Sequence, residues 1–197
     1  MISSHLQGGL GNQLFQIAAA HALALRNNTT SCFDLDSCNT PLQGNPSNKY
    51  RNNILAKVKN VHVQYWRGTY NEPTFSYVEL PNIPELVLNG YFQSEKYFID
   101  YKQEIIDLFD MSESKLVSDY MLGFRKMNVP VTAIHVRRGD YLKNPEFHPV
   151  CSLEYYTNAM SEIGESNFIF VSDDMEWVKD NFKGHNIWYS NFTDEIS

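Results

Sequence analysis

Val131-Thr132-Ala133-Ile134-His135-Val136-Arg137-Arg138-Gly139-Asp140-Tyr141 is the stretch whose reading decides the fold class. Its first half is an apolar, β-branched run directly after Pro130, the pattern of a buried parallel strand. The run then breaks into two arginines, a glycine and an aspartate. In open α/β sheets, ligands bind outside the carboxyl ends of the strands. Paired guanidinium groups at such an edge suit phosphate, because arginine offers planar, bidentate donors that stay charged. Gly139 lets the backbone turn sharply or approach a ligand closely. His135 and Arg137 stand one alternation apart and so share one side of the strand. Two plainer readings fit the same letters. Adjacent arginines can be a solvated turn paired with nearby acids, and Arg138-Gly139-Asp140 spells an adhesion tripeptide that needs an exposed loop on a secreted protein.

Working outward, Met1 to Leu6 reads as a strand feeding a tight turn at Gly8, Gly9 and Gly11. Leu14, Ile17, Ala18, His21, Ala22 and Leu25 recur at helical spacing, which predicts an amphipathic helix from Asn12 to Arg26. Strand, glycine turn and helix together open a Rossmann-like unit. Leu14 stands where the dinucleotide fingerprint G-x-G-x-x-G needs its third glycine, so a claim for NAD is weak. Backbone N–H groups at the helix start could still face an anion, and Asn12 and Gln13 could bond sugar hydroxyls or phosphate. Further strands are expected at 30–35, 61–66, 86–92, 168–171 and 186–189, with a loop over 39–53. Helices are expected over 94–109 with Ser94 as cap, over 115–127, from the Ser152 cap to Ile163, and through Trp177, Val178 and Phe182. The helix over 94–109 should turn Phe98, Tyr101, Ile105 and Leu108 inward.

This order predicts an α/β protein with a first domain over 1–127 and a second beginning at 128 and running to 197. The second holds few strands for a nucleotide-binding domain, so it is expected to be incomplete and the chain a fragment. Hydrophobic content of 43% and aromatic content of 14% are those of a packed protein. A net charge of −7 argues against a nucleic-acid partner, while leaving room for a local basic pocket. Cys32, Cys38 and Cys151 lack metal-type spacing, and three cysteines suit reduced thiols inside a cell. No apolar run is long enough to span a bilayer, and the Met1-Ile2-Ser3-Ser4 start does not read as a signal peptide, so none is expected. The expected location is cytoplasmic, with peripheral association where glycans are assembled.

Three segments carry a family resemblance in order: Gly8-Gly9-Leu10-Gly11-Asn12-Gln13-Leu14-Phe15-Gln16, then residues 90–98 (Gly-Tyr-Phe-Gln-Ser-Glu-Lys-Tyr-Phe), then His135 to Tyr141. Residues 148–156 and Phe170-Val171-Ser172-Asp173-Asp174 extend it. Together they resemble the α-1,2-fucosyltransferases, glycosyltransferase family 11, over nearly the whole chain. The resemblance implies a GT-B-like fold, two Rossmann-like units facing each other across a cleft. It also implies inverting transfer of L-fucose from GDP-fucose to the 2-hydroxyl of a galactoside. Other fucosyl linkages, or a non-catalytic GDP-sugar-binding module, are the alternatives.

By the same resemblance Arg137 would bind the β-phosphate of GDP, and Arg138 would support the pyrophosphate or the cleft wall. His135 would contact the nucleotide or brace Arg137, with a satisfied core histidine as the plainer reading. Asp140 would orient an arginine, and Asp173 would accept from ribose or guanine. Gly9, Gly11 and Asn12 would line the cleft from the first domain. The partners are then GDP-fucose and a galactose-terminated glycan, with no cofactor. No metal is expected, because no ligand cluster is visible and the family is metal-independent. No carboxylate stands out as a general base.

Overall fold

The computed structural model describes residues 1–36, 46–62, 68–109, 115–126, 128–143, 145–146 and 148–191. The chain divides into two compact units, Met1–Ser112 and Glu113–Glu195. That division falls earlier than the expected 127/128 boundary. Helix α3 (Lys115–Arg125) packs within the second unit, its Phe124 ring 5.2 Å from Trp188 and edge-on to it. The Tyr120 hydroxyl donates to the Tyr189 carbonyl at 3.3 Å.

In the first unit, β1 (Ile2–Ser4), β3 (Leu86–Asn89) and β2 (Thr69–Asn71) form a parallel sheet in the order β1-β3-β2. Ile2 pairs with Leu86, and Thr69 pairs with Val87. Helix α1 (Leu10–Arg26) follows β1. The expected stripe understates its burial, since Ala18, Ala19, Ala20, Ala22, Leu23 and Ala24 are all inside. Small alanines let the helix backbone come close to its neighbours while keeping a high helix propensity. Phe33, Leu35, Tyr50, Leu55, Leu88 and Phe92 complete this core.

Two expected elements take other forms here. The strand over 30–35 reduces to isolated bridges from Ser31 to Ile2 and from Phe33 to Asn60. The chain does run beside β1, with Ile2 N donating to Thr30 O and Cys32 N to Ile2 O. But β1 is only three residues long and offers too short a ladder. The helix expected over 94–109 opens as two 3-10 turns, Glu95–Tyr97 and Ile99–Tyr101, before α2 (Lys102–Leu108). Tyr97 is the reason. Its buried ring packs 4.9 Å from Tyr77 and 5.4 Å from Phe92, which rotates the chain out of a single helical phase. Tyr101 is therefore only half-buried, while Tyr97, Ile105 and Phe109 turn in. Ser94 does cap, accepting from Lys96 N. The expected loop over 39–53 contains a 3-10 turn, Ser47–Tyr50, and its first part lies outside the described residues. So does most of the strand expected over 61–66.

The second unit holds β4 (Val131–Val136), β5 (Asn167–Ser172) and β6 (Ile187–Tyr189), all parallel, in the order β4-β5-β6. Helix α4 (Leu153–Ile163), capped by Ser152, and α5 (Met175–Asn181), capped by Asp174, alternate with them. Val136, Tyr156, Phe168, Phe170, Val178 and Phe182 make the core. β4 is not the fully buried strand expected. Val131, Ala133 and His135 are exposed, while Thr132, Ile134 and Val136 turn inward. As the outer strand among those described, it packs one face only and so alternates with period two. Among the described residues no helix is long and apolar enough to cross a membrane.

Candidate active site

β4 and β5 run parallel with Val136 opposite Ser172, so the residues after both strands emerge side by side. Asp173 follows β5, and its two carboxylate oxygens accept from the backbone N–H groups of Arg138 (2.8 Å) and Gly139 (3.0 Å). This fixes the arginine loop. A Cβ at Gly139 would lie 2.9 Å from Asp173 Oδ2, so a larger residue there would displace the clamping carboxylate. The loop closes on itself, with Leu142 N donating to Arg138 O at 2.8 Å.

The two arginines have different surroundings. Arg138 is the more enclosed, its side chain 18% exposed against 43% for Arg137. Its guanidinium lies 4.1 Å from the centre of the Trp177 ring, and its Nε donates to Asp174 Oδ2 at 2.9 Å. Asp174 also caps α5, accepting from Trp177 N at 3.2 Å, so one carboxylate orders both the helix start and the arginine. Arg137 donates in a fork to Asp140, from Nε at 3.0 Å and Nη2 at 2.7 Å. Its guanidinium lies 4.7 Å from the Tyr141 ring, which stacks on His148 at 4.6 Å. Hydrogen bonding to Asp140 raises the Arg137 pKa, and the same contact holds Asp140 below the usual carboxylate range. The remaining guanidinium N–H groups of Arg137 can meet an anion.

The carboxyl edge of the second sheet thus brings together Arg137, Arg138, Gly139, Asp140 and Asp173. Asp140 accepts both bonds of the Arg137 fork. Asp173 turns its oxygens to the loop backbone, a bracing role the sequence reading did not give it. His135 is not a core histidine: it is exposed on the same side as Arg137, paired through its backbone in the β4–β5 ladder. Asp174, Trp177 and Tyr141 were missed as partners of the arginines. The spacing Asp174-x-x-Trp177, an N-cap before an aromatic, was the available signal for two of them.

In the first unit Gly8 has φ +76°, and a Cβ there would run into the Asn12 carboxamide. Gly9 is the N-cap of α1 without a side-chain bond, and neither Gly9 nor Gly11 has anything within 4 Å of a built Cβ. Their open surroundings fit close approach of a ligand better than a packing need. Gln13 is buried and donates to Gly8 O at 2.9 Å, so it holds the turn and does not face solvent. Asn12 Oδ1 accepts from the Gln93 carboxamide at 2.6 Å. Among the described residues no group of three His, Cys, Asp or Glu side chains converges as metal ligands would.

Two parallel α/β units with polar loops at their carboxyl edges define a GT-B-like fold. The crystal structure of the fucosyltransferase NodZ from Bradyrhizobium shares it, with a TM-score of 0.52 at 15% identity, over 95% of this chain and 77% of that one. A structure of the NodZ alpha-1,6-fucosyltransferase co-crystallized with GDP gives a TM-score of 0.53 at 15% identity, over 96% and 77%. The model described as "Glycosyl transferase family 11" matches residues 1–192, and the chain belongs to that family. The O-antigen biosynthesis glycosyltransferase WbnK of Escherichia coli is 28% identical over 94% of this chain and 77% of its own length. An alpha-1,2-colitosyltransferase from Escherichia coli is 26% identical, over 91% and 71%. A galactoside 2-alpha-L-fucosyltransferase of Caenorhabditis elegans is 24% identical, over 94% and 56%.

Proposed function

We propose that this glycosyltransferase moves L-fucose from GDP-fucose to the 2-hydroxyl of a terminal galactoside, with inversion and without a metal. The observation that carries the reading is the braced arginine pair after β4, held by Asp173 from one side and by Asp140 and Asp174 through the side chains. In the reaction the acceptor O-2 bonds to fucose C1 from the face opposite GDP. The bond from C1 to the β-phosphate oxygen breaks, and both electrons leave with GDP. Negative charge grows on the diphosphate, and Arg137 is placed to meet it with a planar fork. Arg138, pinned on Trp177, shapes the wall of the phosphate site and adds its positive field. The acceptor proton leaves to a general base. The likeness to the nematode galactoside 2-alpha-L-fucosyltransferase supports the galactoside O-2 linkage.

The colitosyltransferase relative supports a second donor reading, in which a GDP-linked colitose replaces GDP-fucose at the same arginines. A transfer assay with lactose as acceptor, run with each donor in excess EDTA, separates the two. The expected result is a 2-O-fucosylated product at an unchanged rate. Product only from the colitose donor would replace the donor assignment. Loss of transfer in EDTA and recovery with Mg²⁺ or Mn²⁺ would overturn the metal-free mechanism.

A further inference from the structure

A depression of about 400 Å³ opens at the carboxyl edge of the first sheet, within the size range of small-ligand sites. It gathers Gln7 after β1, Asn71 and Glu72 at the end of β2, and Asn89 and Tyr91 at the end of β3, with Phe75 on the rim. The framework is firm. The Gln7 backbone is clasped at both its N–H and its carbonyl by the buried Gln16 carboxamide. The Glu72 carboxylate accepts from Tyr91 N at 2.6 Å and Phe92 N at 3.0 Å. Asn89 Nδ2 donates to Asn71 Oδ1 at 2.7 Å, which leaves the Asn89 oxygen and the Asn71 amide to serve a ligand.

The chemistry of the lining selects the ligand class. No cation lines the depression among the described residues, and its one formal charge is the Glu72 carboxylate, so phosphate and other anions are disfavoured. Planar carboxamides and a carboxylate match the paired donors and acceptors of adjacent hydroxyls. Phe75 is 81% exposed, the most exposed large apolar side chain among the described residues, and it offers an open aromatic face beside the polar lining. A ring with hydroxyls on its edge and C–H groups on its face meets both demands. We propose that this depression is a carbohydrate subsite that holds the neutral acceptor sugar, its C–H face on Phe75 and its hydroxyls on Asn71, Asn89 and Glu72. The choice of a galactoside rests on the function proposed above, whereas the sugar class rests on the lining alone.

The test is ligand-observed NMR titration of methyl β-galactoside and lactose into the wild-type chain and its Phe75→Ala and Phe75→Trp variants. GDP affinity and thermal melts are measured alongside. Phe75→Ala is expected to weaken both sugars at least tenfold, Phe75→Trp to retain them, and GDP affinity and melting to stay unchanged. Because Phe75 is so exposed, its truncation leaves the core intact. Equal sugar affinity in wild type and Phe75→Ala overturns the subsite, as does a wild-type chain that binds GDP but neither sugar. A chain that binds both sugars through Phe75 but not GDP leaves the subsite standing and removes the donor half of the proposed function.

Discussion

At the carboxyl edge of the first sheet the Glu72 carboxylate holds the backbone N–H groups of Tyr91 and Phe92. At the same edge of the second sheet the Asp173 carboxylate holds those of Arg138 and Gly139. In each unit an acid at the end of one strand clamps the loop leaving its neighbour. The side chains presented on the two loops are opposite in character. The second unit offers two guanidinium groups backed by carboxylates and aromatic rings. The first offers carboxamides and an exposed phenyl ring with no cation among its lining residues. One scaffold device therefore carries two sets of side chains of opposite character.

The sharpest way to break this contrast is Arg137→Lys. An ammonium is a point charge and cannot reproduce the guanidinium fork. Transfer should fall by about 10²–10³-fold, on the order of 2–4 kcal/mol, with an unchanged melt. Near-normal turnover would remove Arg137 from the phosphate site.

Next come the two clamps. Glu72→Gln turns one acceptor oxygen into a donor facing a backbone N–H. In this half-buried place that should cost about 1–3 kcal/mol of stability, read by denaturant unfolding. It should also raise the KM for the galactoside while GDP affinity holds. Asp173→Asn is more exposed and should cost less than about 1 kcal/mol, yet it should loosen the arginine loop and weaken GDP binding. If both variants impaired the same ligand, the separation of roles would fail.

Much of this layout was legible beforehand, and the misses have definite causes. The strand that ends just before Arg137 and the helix start at Ser152 could be read because period, cap and breaker residues agreed, whereas α5 was expected only as a helix through Trp177, Val178 and Phe182 and its Asp174 cap was not. β2 escaped notice, since Thr69-Tyr70-Asn71 is too short to show an alternation. The Tyr97 break in the 94–109 helix depended on Phe92 and on Tyr77, the second of which lies outside any local window. The arginine pair after a strand was legible from charge and position. The braces Asp173, Asp174 and Trp177 required knowing that β5 lies beside β4. The sugar-type depression was hidden for the same reason, because Gln7, Asn71 and Asn89 come from three separate strand ends.

The smallest effect belongs to the Arg137–Asp140 pair. Asp140 is 38% exposed, so Asp140→Asn should cost only about 0.5 kcal/mol at neutral pH. Its folded pKa is lowered, chiefly by the hydrogen bond from Arg137. The pair's contribution is therefore full above the unfolded carboxylate pKa of about 4 and is lost as pH falls through the lower folded value. Thermal melts of wild type and Asp140→Asn should differ slightly at pH 7 and converge in acid. A difference that persists undiminished below the folded value would show that the ion pair is not its source.

The most direct test of the arginine edge is a calorimetric titration of GDP into the wild-type chain and into Arg137→Lys, with melting temperatures recorded for both. The expected result is binding by the wild type and at least tenfold weaker binding by a variant that melts normally. Equal GDP affinity in the two proteins would contradict the assignment of the nucleotide phosphates to the loop after β4.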